Sequence, residues 1–276
     1  VTVLLFVELF VAGGLLGALG GLLGIGGGLF AIPILTLWFG LDQQHAQGTA
    51  LVMVVPNVAV GLWNYARRGK MDKRLGLALA LAAFPLTYLG ARVAVDLPSA
   101  SLRIAFAVFI FSIGFLMAVR AFAPAAPAGS VQRKPAAWQF AILVGAFGGL
   151  LSGLFGVGGA VFAVPLLAFL FVIPQAAAQG FGLALVAPGT LVGIATYAAA
   201  GDVNWAIGIP LAIGGVLTVP YGVKLAYRMP ERRLRLIFAS LMVVAAIVLV
   251  AHSSAGAAPV AHASASLKGS DRMRFR

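Results

Sequence analysis

Gly17-Ala18-Leu19-Gly20-Gly21-Leu22-Leu23-Gly24-Ile25-Gly26-Gly27-Gly28-Leu29-Phe30-Ala31-Ile32-Pro33 decides how this chain is read, because it returns 132 positions later as Gly149-Leu150-Leu151-Ser152-Gly153-Leu154-Phe155-Gly156-Val157-Gly158-Gly159-Ala160-Val161-Phe162-Ala163-Val164-Pro165. The copies align without a gap, with seven glycines in the first and five in the second. Each glycine costs a helix about 1 kcal/mol against alanine. In lipid a broken backbone must also find other partners for its N–H and C=O groups. A glycine cluster inside an apolar run therefore needs a purpose.

The same register reaches well beyond the glycines. Gln47-Gly48 matches Gln179-Gly180, Pro56 matches Pro188, and Tyr65 matches Tyr197. Gly69 matches Gly201, Gly90 matches Gly222, and Pro98 with Leu102-Arg103 matches Pro230 with Leu234-Arg235. A gapless match over this length is the signature of an internal duplication.

Composition sets the environment. Of the 276 residues, 62% are hydrophobic and 9% charged, and the mean hydropathy is +1.05. A soluble chain carries about a quarter charged residues, so this is an all-α polytopic membrane protein. The net charge of +12 does not indicate nucleic-acid binding, because the basic residues cluster in short loops between apolar segments. With no Cys, disulfides, thiolate metal sites and Cys nucleophiles are excluded.

Apolar segments run over 3–23, 29–39, 46–66, 75–95 and 102–119, and again over 136–155, 161–172, 176–200, 206–226 and 234–250. The second of each set is too short to cross a hydrocarbon core of ~30 Å at ~1.5 Å per residue. The expected organisation is repeat 1 over 1–122, a mobile Ala/Pro-rich linker over 123–134, repeat 2 over 135–251, and a disordered basic tail over 252–276. Loop charge orients the halves. Arg67 to Arg74 is strongly basic while its counterpart, 201–205, carries only Asp202; Asp96 to Ser101 is not basic while its counterpart, Arg228 to Arg233, is. The signs swap, as expected for two inverted repeats of about five hydrophobic segments each. The first two segments of each would form a glycine-broken helical hairpin.

Gly17-x-x-x-Gly21 and Gly149-x-x-x-Gly153 suit close helix packing. Gly26, Gly27 and Gly28 suit it less, since consecutive glycines cannot all face one neighbour. A half-helix starting there, and at Gly158, Gly159 and Ala160, would aim uncapped N–H groups and a positive dipole end at the break, which favours an anion. The polar residues Gln47, Thr49 and Asn57 inside the third segment, with Gln179 and Thr190 of its counterpart, could orient that anion or hydrogen-bond between helices. Pro33, Pro56, Pro165 and Pro188 are candidate helix-breaking or gating positions. Glu8 and His45 are read as interface and solvated loop residues. No His/Asp/Glu set has metal-ligand spacing, and neither a nucleophile–base set nor an ATP motif is present, so an enzyme is not supported, and no metal or cofactor is expected.

The two copies of Gly-x-Gly-Gly-(Gly/Ala)-x-(hydrophobic)-x-x-Pro, each followed by Gln-Gly and then Gly-(Lys/Asp)-(Met/Val)-(Asp/Asn), resemble the TauE/SafE sulfite-exporter family from about residue 6 to 250. The resemblance implies a secondary transporter of small anions such as sulfite or other sulfur-containing organic anions, in the cytoplasmic (inner) membrane. Lipid bilayer and substrate are its partners; a coupling proton or cation and a homodimer stay open. The second copy departs from the first with Ala160 for Gly28 and Phe181 for Thr49, which makes the two half-sites unequal. A passive anion channel, and an assembly subunit whose glycines only pack helices, are the alternative readings.

Overall fold

The structure, a computed structural model, describes residues 3–69, 71–122, 139–156 and 158–255. The expected linker at 123–134 lies outside these residues, as does the tail from 256 onward. Among the described residues there are ten helices: α1 Val3–Leu23, α2 Gly28–Phe39, α3 Gln43–Arg68, α4 Lys73–Asp96, α5 Ser99–Phe122, α6 Gln139–Phe155, α7 Gly158–Leu170, α8 Gln175–Ala199, α9 Trp205–Arg228 and α10 Glu231–Ala255. No strand occurs among them. Six of the helices are long and apolar enough to cross a membrane. The chain is a multi-pass, all-helical membrane protein.

Local chemistry sets the helix ends. Asp42 caps α3 by accepting from the His45 N–H, Asp72 caps α4 by accepting from the Arg74 N–H, and Asn204 caps α9 by accepting from the Ile207 N–H. Gly40 ends α2 in the left-handed region. At 12 residues, α2 is about 18 Å long and reaches little more than half-way through a bilayer. Pro33, Pro56, Pro165 and Pro188 lie inside α2, α3, α7 and α8, which continue past them.

Lipid offers no hydrophobic drive between helices, so contact depends on close backbone approach. The chain achieves it with glycines one turn apart. A Cβ on Gly13, Gly17 or Gly21 of α1 would lie less than 3.0 Å from the carbonyl oxygen of Leu211, Gly215 or Val219 of α9. The corresponding positions repeat the pattern between α6 and α4: Gly145 meets Leu79, Gly149 meets Ala83, and Gly153 meets Thr87, each within the same limit. All six pairs keep the 132 offset, with the roles of the halves exchanged. The packing reading of Gly17, Gly21, Gly149 and Gly153 thus has a direct geometric basis. Numbers rise together along each pair, so α1 runs parallel to α9, and α6 to α4.

The centre is made by α3 and α8. Tyr65, near the end of α3, reaches Gln179, near the start of α8; Tyr197, near the end of α8, reaches Gln47, near the start of α3. These two equivalent helices therefore run antiparallel. Their buried faces carry most of the buried polar side chains among the described residues, including Gln43, Gln47, Thr49, Asn57, Gln175, Gln179 and Thr190. Large apolar side chains such as Leu4, Leu81, Phe115, Ile209 and Leu217 are exposed on the outside, the arrangement expected of a lipid-facing surface.

Candidate functional site: two glycine breaks and two crossed glutamines

The first break lies between α1 and α2. Gly24, Gly26 and Gly27 have φ of 68, 73 and 91°, a region that side chains with a Cβ avoid. Gly27 is the N-cap of α2 and has no side chain to cap it. Its carbonyl accepts from the N–H groups of Phe30 and Ala31, both at 3.2 Å. The second break repeats the turn at Gly156, φ 75°, and α7 then begins at Gly158.

Each break is walled by a glutamine from the other half of the chain. A Cβ on Gly24 would lie 2.8 Å from the Cα of Gln179, and one on Gly156 would lie 3.5 Å from the Cβ of Gln47. Both glutamines are fully buried. The Tyr65 hydroxyl has two acceptors at 2.8 Å, Gln179 Oε1 and the Gly21 carbonyl. In the matching position the Tyr197 hydroxyl donates to Gln47 Oε1 at 2.6 Å, with the Gly153 carbonyl farther off at 3.4 Å. The 2.6 Å separation at Gln47 is shorter than an N–H···O bond and suits O–H···O; the single Tyr65 proton is shared between its two acceptors. In this arrangement each amide places its oxygen on the tyrosine and turns its NH₂ away. Neither Gln47 Nε2 nor Gln179 Nε2 has a protein partner. A buried donor left in this way is costly unless something else accepts from it.

Other sequence-expected residues fall into separate places. Asn57 Nδ2 donates to the Gly26 carbonyl at 3.2 Å, while its Oδ1 has no protein partner. Asn57 thus pins the first break and belongs with it. Gly26 is packed against Val58 and Val54, and Gly27 against the Leu16 carbonyl. Gly159 is tight against the Gly148 carbonyl and Ser152, and Ala160 is fully buried. Thr49 is not at the centre: its Oγ1 accepts from the Asn204 N–H at 3.0 Å, tying α3 to the α8–α9 turn. Thr190 donates to Ala187 within its own helix and lines, with Pro188 and Val58, an apolar cleft of about 530 Å³ between α3 and α8.

The crossing of the tyrosines and the contacts of His45 escaped the sequence reading. The tyrosines were visible as a matched pair at 132, but nothing in the sequence said that each would cross to the other half. His45 is also more than a solvated loop residue. Its Nδ1 lies 3.0 and 3.1 Å from the Asp42 carboxylate oxygens and 3.5 Å from Asp202 Oδ1. This cluster joins the α2–α3 turn to the α8–α9 turn.

Partial burial raises the Asp202 carboxyl above its ordinary value of 3.8; His45 opposes the shift and Asp42 adds to it. Folding therefore favours protonated Asp202. That contribution is complete below the ordinary carboxylate range and is lost as pH rises through the elevated folded value. Asp202→Asn cannot ionise, so its melting temperature should gain on the wild type as pH is raised from about 4 to 8. Melting curves across that range check it; a difference that is constant or shrinks would contradict the assignment.

Comparison with known proteins agrees with this architecture. The family description "Sulfite exporter TauE/SafE" matches residues 9–249. A probable membrane transporter protein of Xylella fastidiosa (strain Temecula1) is 30% identical over 245 residues, covering 87% of this chain and 92% of that protein. The probable membrane transporter protein YdhB of Bacillus subtilis is 25% identical over 217 residues, covering 79% of this chain and 89% of that protein. The probable membrane transporter protein MJ0441 of Methanocaldococcus jannaschii is 25% identical over 254 residues, covering 87% and 93%. Matched over residues 9–249 and by these relatives, the chain belongs to the TauE/SafE sulfite exporter family of membrane transporters.

Proposed function

We propose that the protein is a secondary transporter that exports small anions, sulfite or related sulfur-containing organic anions, across the cytoplasmic membrane. The two repeats would sit in the bilayer with opposite topology, as the swapped loop charges suggest, and the anion would bind between them near the midplane. The observation that carries this reading is the crossed Tyr–Gln pairing. It presents one unpartnered buried NH₂ group at each glycine break, one on either side of the midplane, where the first turn of a half-helix adds its own N–H groups and dipole, so that an anion crossing the midplane would pass from one break to the other. Donors without acceptors, next to positive helix ends, are complementary to an oxyanion.

The pairing also suggests how access could alternate. Each break is closed by a side chain from the other half, so a rocking of one half against the other would loosen one crossed contact while tightening its twin. A coupling proton or cation would bias that exchange.

The test is ligand-dependent stability of the detergent-purified protein, followed by flux in proteoliposomes. Sulfite should raise the melting temperature progressively once its concentration exceeds the dissociation constant, and should exchange across the vesicle membrane with saturation. Stabilisation by a cation alone, with no response to sulfite, thiosulfate, sulfonates or small carboxylates, would overturn the reading and reverse the amide orientation. Flux without saturation would favour a channel.

A further inference from the structure

Two more glutamines share the unusual state of the central pair. Gln43 and Gln175 are again 132 apart, each is the first residue of its helix, α3 and α8, and each is 1% exposed. Neither amide nitrogen nor amide oxygen of either side chain has a protein partner. Gln43 precedes Gln47 by four residues, and Gln175 precedes Gln179 by four, so each helix carries two glutamines on one face, about 6 Å apart along the axis. Of the buried side-chain atoms left without a protein partner among the described residues, the Nε2 atoms of these four glutamines form the largest single group.

Gln44 shows that the pattern is not a general property of this end of α3. Its Nε2 donates to the Leu97 carbonyl at 2.6 Å, and its Oε1 accepts from the Ser99 hydroxyl. That amide is a structural tie between α3 and the α4–α5 turn. Gln43, its neighbour, has no such bond.

We infer that Gln43 and Gln175 form two outer oxyanion subsites, one toward each mouth of the protein, through which an anion passes between the surface and the central pair Gln47 and Gln179. The inference rests on the anion-transport reading above. Because α3 and α8 are antiparallel, their first turns lie at opposite ends of the bundle, so the four amides form a file, Gln175, Gln179, Gln47, Gln43, whose inner two stand on either side of the midplane: Tyr65, the partner of Gln179, is about 27 Å along α3 from Gln47. At the Gln175 end a cavity of about 180 Å³ is lined by Gln175, Arg235, Pro165 and Met117. Arg235 is half-exposed and bridges to Glu231 at 2.6 Å, so a guanidinium stands at this mouth. The first turn of α8 adds uncapped N–H groups, because its N-cap is Pro174 and makes no side-chain bond. The ligand class is a small oxyanion: the amide NH₂ groups donate to it, and the outer Oε1 atoms accept from a proton or water it carries.

The experiment compares Gln43→Met and Gln175→Met with Gln47→Met, Gln179→Met and Gln44→Met. Equilibrium sulfite binding is measured in detergent and sulfite flux in phosphatidylethanolamine/phosphatidylglycerol vesicles. Outer variants are expected to bind sulfite within about twofold of wild type while flux falls about tenfold, the loss of one hydrogen bond to a charged ligand during passage. Because the outer amides are unpartnered, removing them should raise the melting temperature, a change that also shows the variants fold. Gln44→Met should lower it. Wild-type flux in both outer variants would overturn the inference, and so would a loss of binding equal to the loss of flux, which would place these residues in the central site. Absence of sulfite binding and flux in the wild type itself would instead overturn the parent reading, so the two failures are separable.

Discussion

Gln179→Glu is expected to weaken sulfite binding about 100-fold or more while leaving the protein folded. Two effects add. The substitution removes the unpartnered NH₂ donor of the residue that walls the first glycine break, and one hydrogen bond to a charged ligand is worth about 1.5–3 kcal/mol. It also sets a carboxylate where the anion would sit, and a like charge in a desolvated site raises the cost further. Shape is nearly unchanged, and one carboxylate oxygen can still accept from Tyr65, which lies 2.8 Å from the present Oε1. Tyr65→Phe acts on the same amide indirectly: with the hydroxyl donor to its Oε1 removed, the amide is free to rotate, and binding should fall by about tenfold. Isothermal titration on purified variants checks both. Undiminished sulfite affinity in Gln179→Glu would rule out this amide as a ligand.

Gly153→Ala should abolish most of the folded protein. A Cβ there would lie less than 3.0 Å from the Thr87 carbonyl oxygen and from the Ala91 N–H nitrogen. Both are backbone atoms of α4, which cannot rotate away as a flexible side chain could. Relief needs α6 and α4 to separate along their whole contact, which also displaces the Gly153 carbonyl beside Tyr197. The cost is at the upper end for overpacking, about 3 kcal/mol, and helices in lipid have little hydrophobic drive to compensate. Gly17→Ala should be comparable, since its Cβ would meet the backbone of Gly215. Gly14→Ala is the control. Its Cβ would sit 3.5 Å from the Thr218 methyl group, an ordinary contact. Size-exclusion profiles and melting temperatures of the three variants should separate them clearly; equal behaviour would contradict the packing account.

This contrast bears on how bulky substitutions at the breaks should be read. Gly27 and Gly159 are also tight against backbone, the Leu16 carbonyl and the Gly148 carbonyl. Enlarging them tests packing and ligand binding at once. The glutamines separate the two, because their amide nitrogens touch no protein acceptor.

The segments were legible because hydrophobic runs of membrane length leave few alternatives. The short segment at 29–39 appears as α2, Gly28–Phe39, and that at 161–172 as α7, Gly158–Leu170. The packing role of Gly17 and Gly21 was legible from their four-residue spacing. What the sequence could not supply was pairing between the halves. It offered Gln47 and Gln179 as an equivalent pair, and the natural assumption joined each to the break of its own repeat. The structure joins each to the other's break, through tyrosines that as residues in isolation looked like ordinary core. Thr49 was drawn toward the site by its place beside Gln47, yet side chains two apart on a helix diverge, and Thr49 faces the α8–α9 turn. Gln43 and Gln175 were overlooked because they stand at segment edges, where a glutamine is expected to meet water. Their burial follows from neighbours far away in the chain.

The crossed bonds have a consequence for the origin of the molecule. Contacts in which residue i of one half meets residue j of the other, while j of the first meets i of the second, are those of a self-complementary pair of identical subunits about a twofold axis. Tyr65 with Gln179 and Tyr197 with Gln47 are such a set, and so are the glycine contacts of α1 with α9 and α6 with α4. A single half-length ancestor able to insert in either direction could have made every one of them as an antiparallel homodimer. Fusion would then have required no new contact. It would have released each half from having to be its own partner, which is what allows Thr49 in one half to have Phe181 as its counterpart in the other.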